Sequence, residues 1–147
     1  MASFQEQLLA LATAAGFEVS ELDDQRALIP IRVGDSETTQ VVVVLDLGDL
    51  WEFSCLSTVR EPSVEGFAPA LLAFLLERNA QNARGFWCLQ TVHSQKTLCY
   101  MHNVPPAVLT PAEFRAICES LVQQVESLET GYRLAAEALR QEEPPSS

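Results

Sequence analysis

The stretch from Phe17 to Arg60 constrains this chain most. Its side chains alternate at period two, it is rich in β-branched residues, and turn signals cut it into short pieces. Signals at Asp23-Asp24, Gly34-Asp35-Ser36 and Gly48-Asp49 leave strands over residues 18–22, 27–33, 38–47 and 50–59, read as an antiparallel meander. The run VVVVLDL is apolar at every position through Leu45, which predicts a central strand covered on both faces. Pro30 fits an edge strand or a bulge.

Helical patterns flank the meander. Phe4, Leu8, Leu11 and Ala15 share one stripe, with Ser3 able to cap the first turn and Gly16 to end the last. After the Pro62 loop, Phe67, Leu71, Phe74 and Leu75 recur at helical spacing over 67–81, and Asn82 before Gly85 marks the end of this second helix, expected to pack on the sheet. Strands at 86–92 and 97–102 bracket the polar turn His93-Ser94-Gln95-Lys96 as a hairpin. Thr110-Pro111-Ala112-Glu113 then combines an N-cap threonine, proline at the first helical position and glutamate at the third, a capping box. The helix it opens can run to about Gln141, with Phe114, Ile117, Cys118, Leu121, Val125, Leu128 and Tyr132 along one seam and Gly131 as a candidate bend.

The fold class is therefore α+β, in the order α-β-β-β(-β)-α-β-β-α, with an antiparallel sheet packed by helices. A single domain over residues 1–142 is expected, and the charged, proline-rich tail 143–147 is expected to be disordered. At 147 residues and 48% hydrophobic content, the chain can build a core without metal or disulfide staples. A net charge of −11, from 20 acidic and 9 basic residues, opposes binding to nucleic acid or to anionic membranes. No stretch approaches the roughly 18 apolar residues a membrane span needs. The start MASFQEQ is acidic and polar where a secretory signal is basic, so a cytoplasmic protein is expected. Cys55, Cys88, Cys99 and Cys118 form no C-x-x-C pair and sit in apolar contexts, as buried free thiols of a reducing compartment do.

The first helix FQEQLLALATAAGF, the meander VVVVLDLGDLWEFSC, the helix ALLAFLLERNAQNARGFW leading straight into a strand, and LTPAEFRAICESLVQQVESLE carry a resemblance. Their arrangement resembles the type III secretion chaperone-like fold, and in particular the YbjN-type proteins that share it, over almost the whole chain as an order of elements. The resemblance implies a small acidic homodimer that holds an extended or helical segment of a client protein.

Chemical constellations are sparse. His93, His102 and Cys99 fall in or beside one hairpin but lack a further ligand at metal-binding spacing, so no metal is expected. Ser54 and Cys55 lie in a strand without a glycine-flanked elbow. Asp46, Asp49 and Glu52 cluster at a turn, where carboxylates are usually solvated. The six glycines are scattered, so no phosphate-cradling loop forms. No catalytic residue and no cofactor are expected.

Two apolar features point to binding. Trp51, Phe53, Phe86, Trp87 and Tyr100 fall in strands and exceed what one helix-covered face requires; either helices cover both faces, or some of this set lines a groove or interface. Trp51, Phe53, Trp87 and Tyr100 are the candidate partner surface. The final helix, about 45 Å if it holds roughly thirty residues, outruns a small domain. Leu128, Tyr132 and Leu139 on its seam are the candidate dimer interface. The reading is a non-enzymatic chaperone- or adaptor-like homodimer holding an unidentified client protein. The alternative is a small-molecule-binding or regulatory domain with a pocket between the sheet and the second helix, near Trp87 and Phe74.

Overall fold

The structure is a computed structural model that describes residues 2–34 and 38–142. Asp35 and Ser36 of the expected second turn, and the tail 143–147, lie outside the described residues. Helix α1 (Phe4–Ala15) opens where Ser3 Oγ accepts the Glu6 N–H at 3.2 Å. It closes at Gly16, whose left-handed φ of 86° lets its N–H reach the Ala12 and Thr13 carbonyls. The chain then forms β1 (Glu21–Leu22), β2 (Arg26–Arg32), β3 (Thr39–Asp46) and β4 (Trp51–Glu61), followed by α2 (Pro69–Asn79), β5 (Phe86–Val92), β6 (Gln95–Val104) and α3 (Pro111–Glu142). All six strands join one antiparallel sheet in the order β1-β2-β3-β4-β6-β5. This is the α+β order read from the sequence.

Local chemistry explains the adjustments at the boundaries. The β5–β6 turn contains only His93 and Ser94, both with positive φ (49° and 64°), because a two-residue loop of that hand matches the twist of paired strands. Strand β6 accordingly starts at Gln95, earlier than its side-chain pattern indicates. Pairing of β4 with β6 shifts register between Leu56 and Arg60. Ser57 steadies the bulge, its Oγ donating to the Leu98 carbonyl at 2.7 Å and accepting the Val59 N–H at 3.1 Å.

The core lies on one face of the sheet. Ala27, Ile29, Val42, Val44, Phe53, Cys55 and Tyr100 are buried there with Phe4 and Leu8 of α1 and Phe114, Ile117, Cys118, Leu121 and Val125 of α3. Phe53 meets Phe114 edge to face at 5.4 Å, and Phe4 meets Trp51 at 5.1 Å. Burying each such side chain is worth about 1.5–3 kcal/mol, which is what fixes α1 and α3 to this face.

The expectation that β3 is covered on both faces is corrected. Val42 and Val44 are buried, whereas Val41 is exposed and Val43 only partly covered. The helices that seal the core lie on the other side, so this face leaves Val41, Leu56 and Phe86 in solvent. Pro30 sits where an edge would suit it. The two residues of β1 pair only with Leu28 and Ala27, so the outer side of β2 has no ladder at Pro30 to lose.

Candidate functional site

Helix α2, PALLAFLLERN, has apolar residues all round its first two turns, more than one contact face can absorb. Of its side chains only Leu75 is fully buried. Its C-terminal end is tied to the sheet by Asn79, which accepts the Trp87 N–H at 2.6 Å through Oδ1 and donates to the Trp87 carbonyl at 3.1 Å through Nδ2. One side-chain amide thus replaces one residue of the strand that edge strand β5 lacks. At the following turn, Tyr100 Oη donates to the Arg84 carbonyl at 2.6 Å, and a Cβ at Gly85 would collide with the Tyr100 ring. Held in this way, α2 keeps Phe74 54% and Leu76 69% exposed.

Helix α3 is capped as its sequence predicts: Thr110 Oγ1 accepts the Glu113 N–H at 3.1 Å. The Glu113 carboxylate does not reach back to complete the box but pairs with Arg84 at 3.0 Å, and that hydrogen bond holds its pKa below the usual carboxylate value. Farther along, α3 is clamped to the sheet by a polar cluster. Gln40 Nε2 donates to Glu126 Oε2 at 3.0 Å and to Glu129 Oε1 at 2.6 Å, while the Thr58 N–H and Oγ1 donate to Glu129 Oε2 at 2.8 and 2.6 Å. Past this clamp, every side chain described from Gly131 to Gln141 is exposed. Gly131 does not break the helix.

Between α2 and this outer part of α3 runs an open groove of about 530 Å³. Ala68, Leu71 and Phe74 form one wall, Leu128, Tyr132 and Leu139 the other, and the small residues Gly131, Ala135 and Ala136 leave room between them. Ser127 is the one hydroxyl-bearing residue besides Tyr132 in that lining. Such a trough accommodates the apolar face of a helix.

The three residues expected at a dimer contact, Leu128, Tyr132 and Leu139, all line this groove. The four expected partner-surface residues do not. Trp51, Phe53, Trp87 and Tyr100 are 2%, 0%, 6% and 0% exposed, so they are core residues in this chain and that expectation is corrected. Period two placed Trp51 and Phe53 on a common face correctly, but parity does not say which face the helices take. Phe74 and Leu76 were missed as surface residues. The signal was the lack of a polar face on α2, which means that some of its apolar side chains have no sheet to cover them.

A smaller cavity of about 180 Å³ lies between α2 and the sheet, lined mainly by Leu72, Leu75, Leu76, Trp87, Leu89 and Leu98. Phe74 points into the other groove. This cavity offers no set of convergent polar groups to orient a small molecule.

The other constellations are taken up by local structure. Asp46 Oδ1 accepts the Gly48 N–H at 3.0 Å and so shapes the β3–β4 turn. His102 pairs with Phe53 on the helix-covered face whereas Cys99 pairs with Leu56 on the opposite one, so the two side chains diverge, and His93 sits exposed in the hairpin turn. Among the described residues, no group of three or more His, Cys, Asp and Glu could hold a metal ion. Burial, with the Glu129 charge adding to it, pushes the Cys55 thiol up to about 12 and keeps it protonated rather than nucleophilic. Among the described residues, no helix is long and apolar enough to cross a membrane. The sequence matches no protein-family model and no curated protein.

Proposed function

We propose that this chain is a non-enzymatic protein-binding module, a chaperone- or adaptor-like homodimer that holds a segment of a client protein. The supporting observation is the apolar groove between α2 and the outer part of α3, which leaves Phe74, Tyr132 and Leu139 in solvent on a chain of net charge −11. Large apolar side chains gathered on a charged surface are costly unless something covers them. In this reading the groove receives the outer part of α3 from a second copy. The client lies against the uncovered face of the sheet, where Val41, Leu56 and Phe86 are exposed. The similarity in order of elements to secretion chaperone-like and YbjN-type proteins agrees with the reading but, as a likeness of fold, adds little weight to it.

Two copies carry like charge, so their association is expected to tighten as salt screens the repulsion, opposite to a contact made by ion pairs. The deciding experiment is native mass spectrometry of tagged protein purified gently from its own host, beside the Leu128→Asp variant. The wild type is expected as a dimer with a second protein bound, and the variant as a folded monomer. A wild-type monomer without a partner, or a variant of unchanged mass, would refute the dimer and its interface.

A further inference from the structure

On the uncovered face of the sheet, Cys88 of β5 stands directly opposite Cys99 of β6, with the two sulfurs 3.1 Å apart. The backbone separation lies within disulfide range. Asn79 takes both the N–H and the carbonyl of Trp87, so these point away from β6. By the alternation of an antiparallel ladder, Cys88 and Cys99 are then a pair that exchanges both backbone hydrogen bonds, with Cα atoms about 5.5 Å apart and side chains less close than at a non-hydrogen-bonded position. That separation is the commonest one across a disulfide, and the sulfurs need to close by only about 1 Å to reach bonding distance.

The two thiols are unequal. Cys99 is fully buried, while Cys88 is partly open to solvent. The hydrogen bond shared with Cys99 draws the Cys88 pKa down against burial and the charge of Glu52, and the same contact together with burial drives that of Cys99 up. The Met101 sulfur, 3.1 Å from Cys88 Sγ and 3.1 Å from Gln90 Nε2, completes a polarisable surround on that side. Cys88 is thus the accessible attacking thiolate and Cys99 the sheltered resolving thiol.

The geometry points to Cys88 and Cys99 as a peroxide-responsive dithiol that closes into a cross-strand disulfide. The Cys88 thiolate attacks one oxygen of hydrogen peroxide; an S–O bond forms, the O–O bond breaks and hydroxide leaves. The Cys99 sulfur then attacks the Cys88 sulfenic sulfur; the S–S bond forms, the S–O bond breaks, and the departing hydroxyl leaves as water with the Cys99 proton. Two thiols are oxidised by two electrons in total, and one peroxide is reduced to two waters. Cys55 and Cys118 take no part: both are buried, and burial raises both pKa values. This chemistry does not rest on the α2–α3 groove.

The test is a stoichiometric dose of hydrogen peroxide on the full chain, followed by intact mass, thiol count and peptide mapping. The wild type is expected to lose two of its four thiols and the mass of two hydrogens, with the bond mapped between Cys88 and Cys99. Cys99→Ser is expected to stop at the sulfenic acid, trapped by dimedone on Cys88, while Cys88→Ser keeps its remaining thiols. Retention of all four thiols by the wild type, or a disulfide mapped to any other pair or between chains, overturns the assignment without relying on either variant folding.

Discussion

Helix α3 is one unbroken helix that lives in two environments. In its first half, Phe114, Ile117, Cys118, Leu121, Val122 and Val125 are buried against the sheet and α1. In its last part, from Gly131 on, the same apolar seam continues through Tyr132 and Leu139, yet Leu139 is 67% exposed. Twelve residues at 1.5 Å each carry this part about 18 Å past the clamp at Glu129. The periodicity of the two parts is alike; what differs is whether this chain supplies a surface to meet it. An apolar seam therefore stabilises the monomer only where a sheet lies under it, and elsewhere it is available to something outside the monomer.

Substitutions can break or sharpen this contrast. The largest effect is expected at Phe114→Ala in the covered half, which removes a ring packed against both Phe53 and Phe17 and should cost about 3–5 kcal/mol in chemical denaturation. A loss below about 1 kcal/mol, the range of a surface site, would erase the distinction between the halves. At the boundary, Glu129→Ala removes one of the two carboxylates that the Gln40 amide reaches and the acceptor of both Thr58 donors, and a loss of about 0.5–1.5 kcal/mol is expected in the same assay.

Acid should act on the covered half as well. Burial holds the pKa of His102 below its ordinary 6.5, with Glu113 opposing and Arg84 adding to the shift. The unfolded chain then takes up its proton at higher pH than the folded one, so this contribution to stability is whole above 6.5 and is lost as pH falls through the folded value. Glu113, held low by Arg84, acts in the same sense below 4.5. A plot of melting temperature against pH should fall from 6.5 downward, and His102→Gln should flatten its first step; an unchanged slope would remove His102 from the account. The smallest effect is expected at Leu139→Asp. Made in the Leu128→Asp background to exclude self-association, it should change stability by no more than about 0.5 kcal/mol. A larger loss would mean that the outer helix is held by its own chain.

Much of the fold was legible because it depends on local rules. Ser3 and Gly16 bound α1, Thr110 opens α3, and the period-two stretch yields the meander. The hairpin was recognised but not its tightness, since His93 and Ser94 adopt positive φ without glycine. The site was legible in part. Leu128, Tyr132 and Leu139 were singled out from the length of the last helix as a dimer contact and line the groove, whereas Phe74 was assigned to packing and Leu76 was not singled out, because a short apolar helix next to a sheet ordinarily packs on it. Trp51, Phe53, Trp87 and Tyr100 were misplaced for a related reason: an excess of strand aromatics does not say whether helices lie over them.

The sequence by itself determined what short-range chemistry controls: the order of elements, the capped helix starts, the α+β class and the reach of α3 beyond a small sheet. Only the tertiary structure decided which sheet face the helices took, and with it which aromatics became core, which valines of β3 stayed in solvent and which thiols came to face each other. The reason is physical. Backbone hydrogen bonding and side-chain periodicity act within a few residues, while the choice of face and the 3.1 Å approach of Cys88 to Cys99 depend on register and packing between segments far apart in the chain.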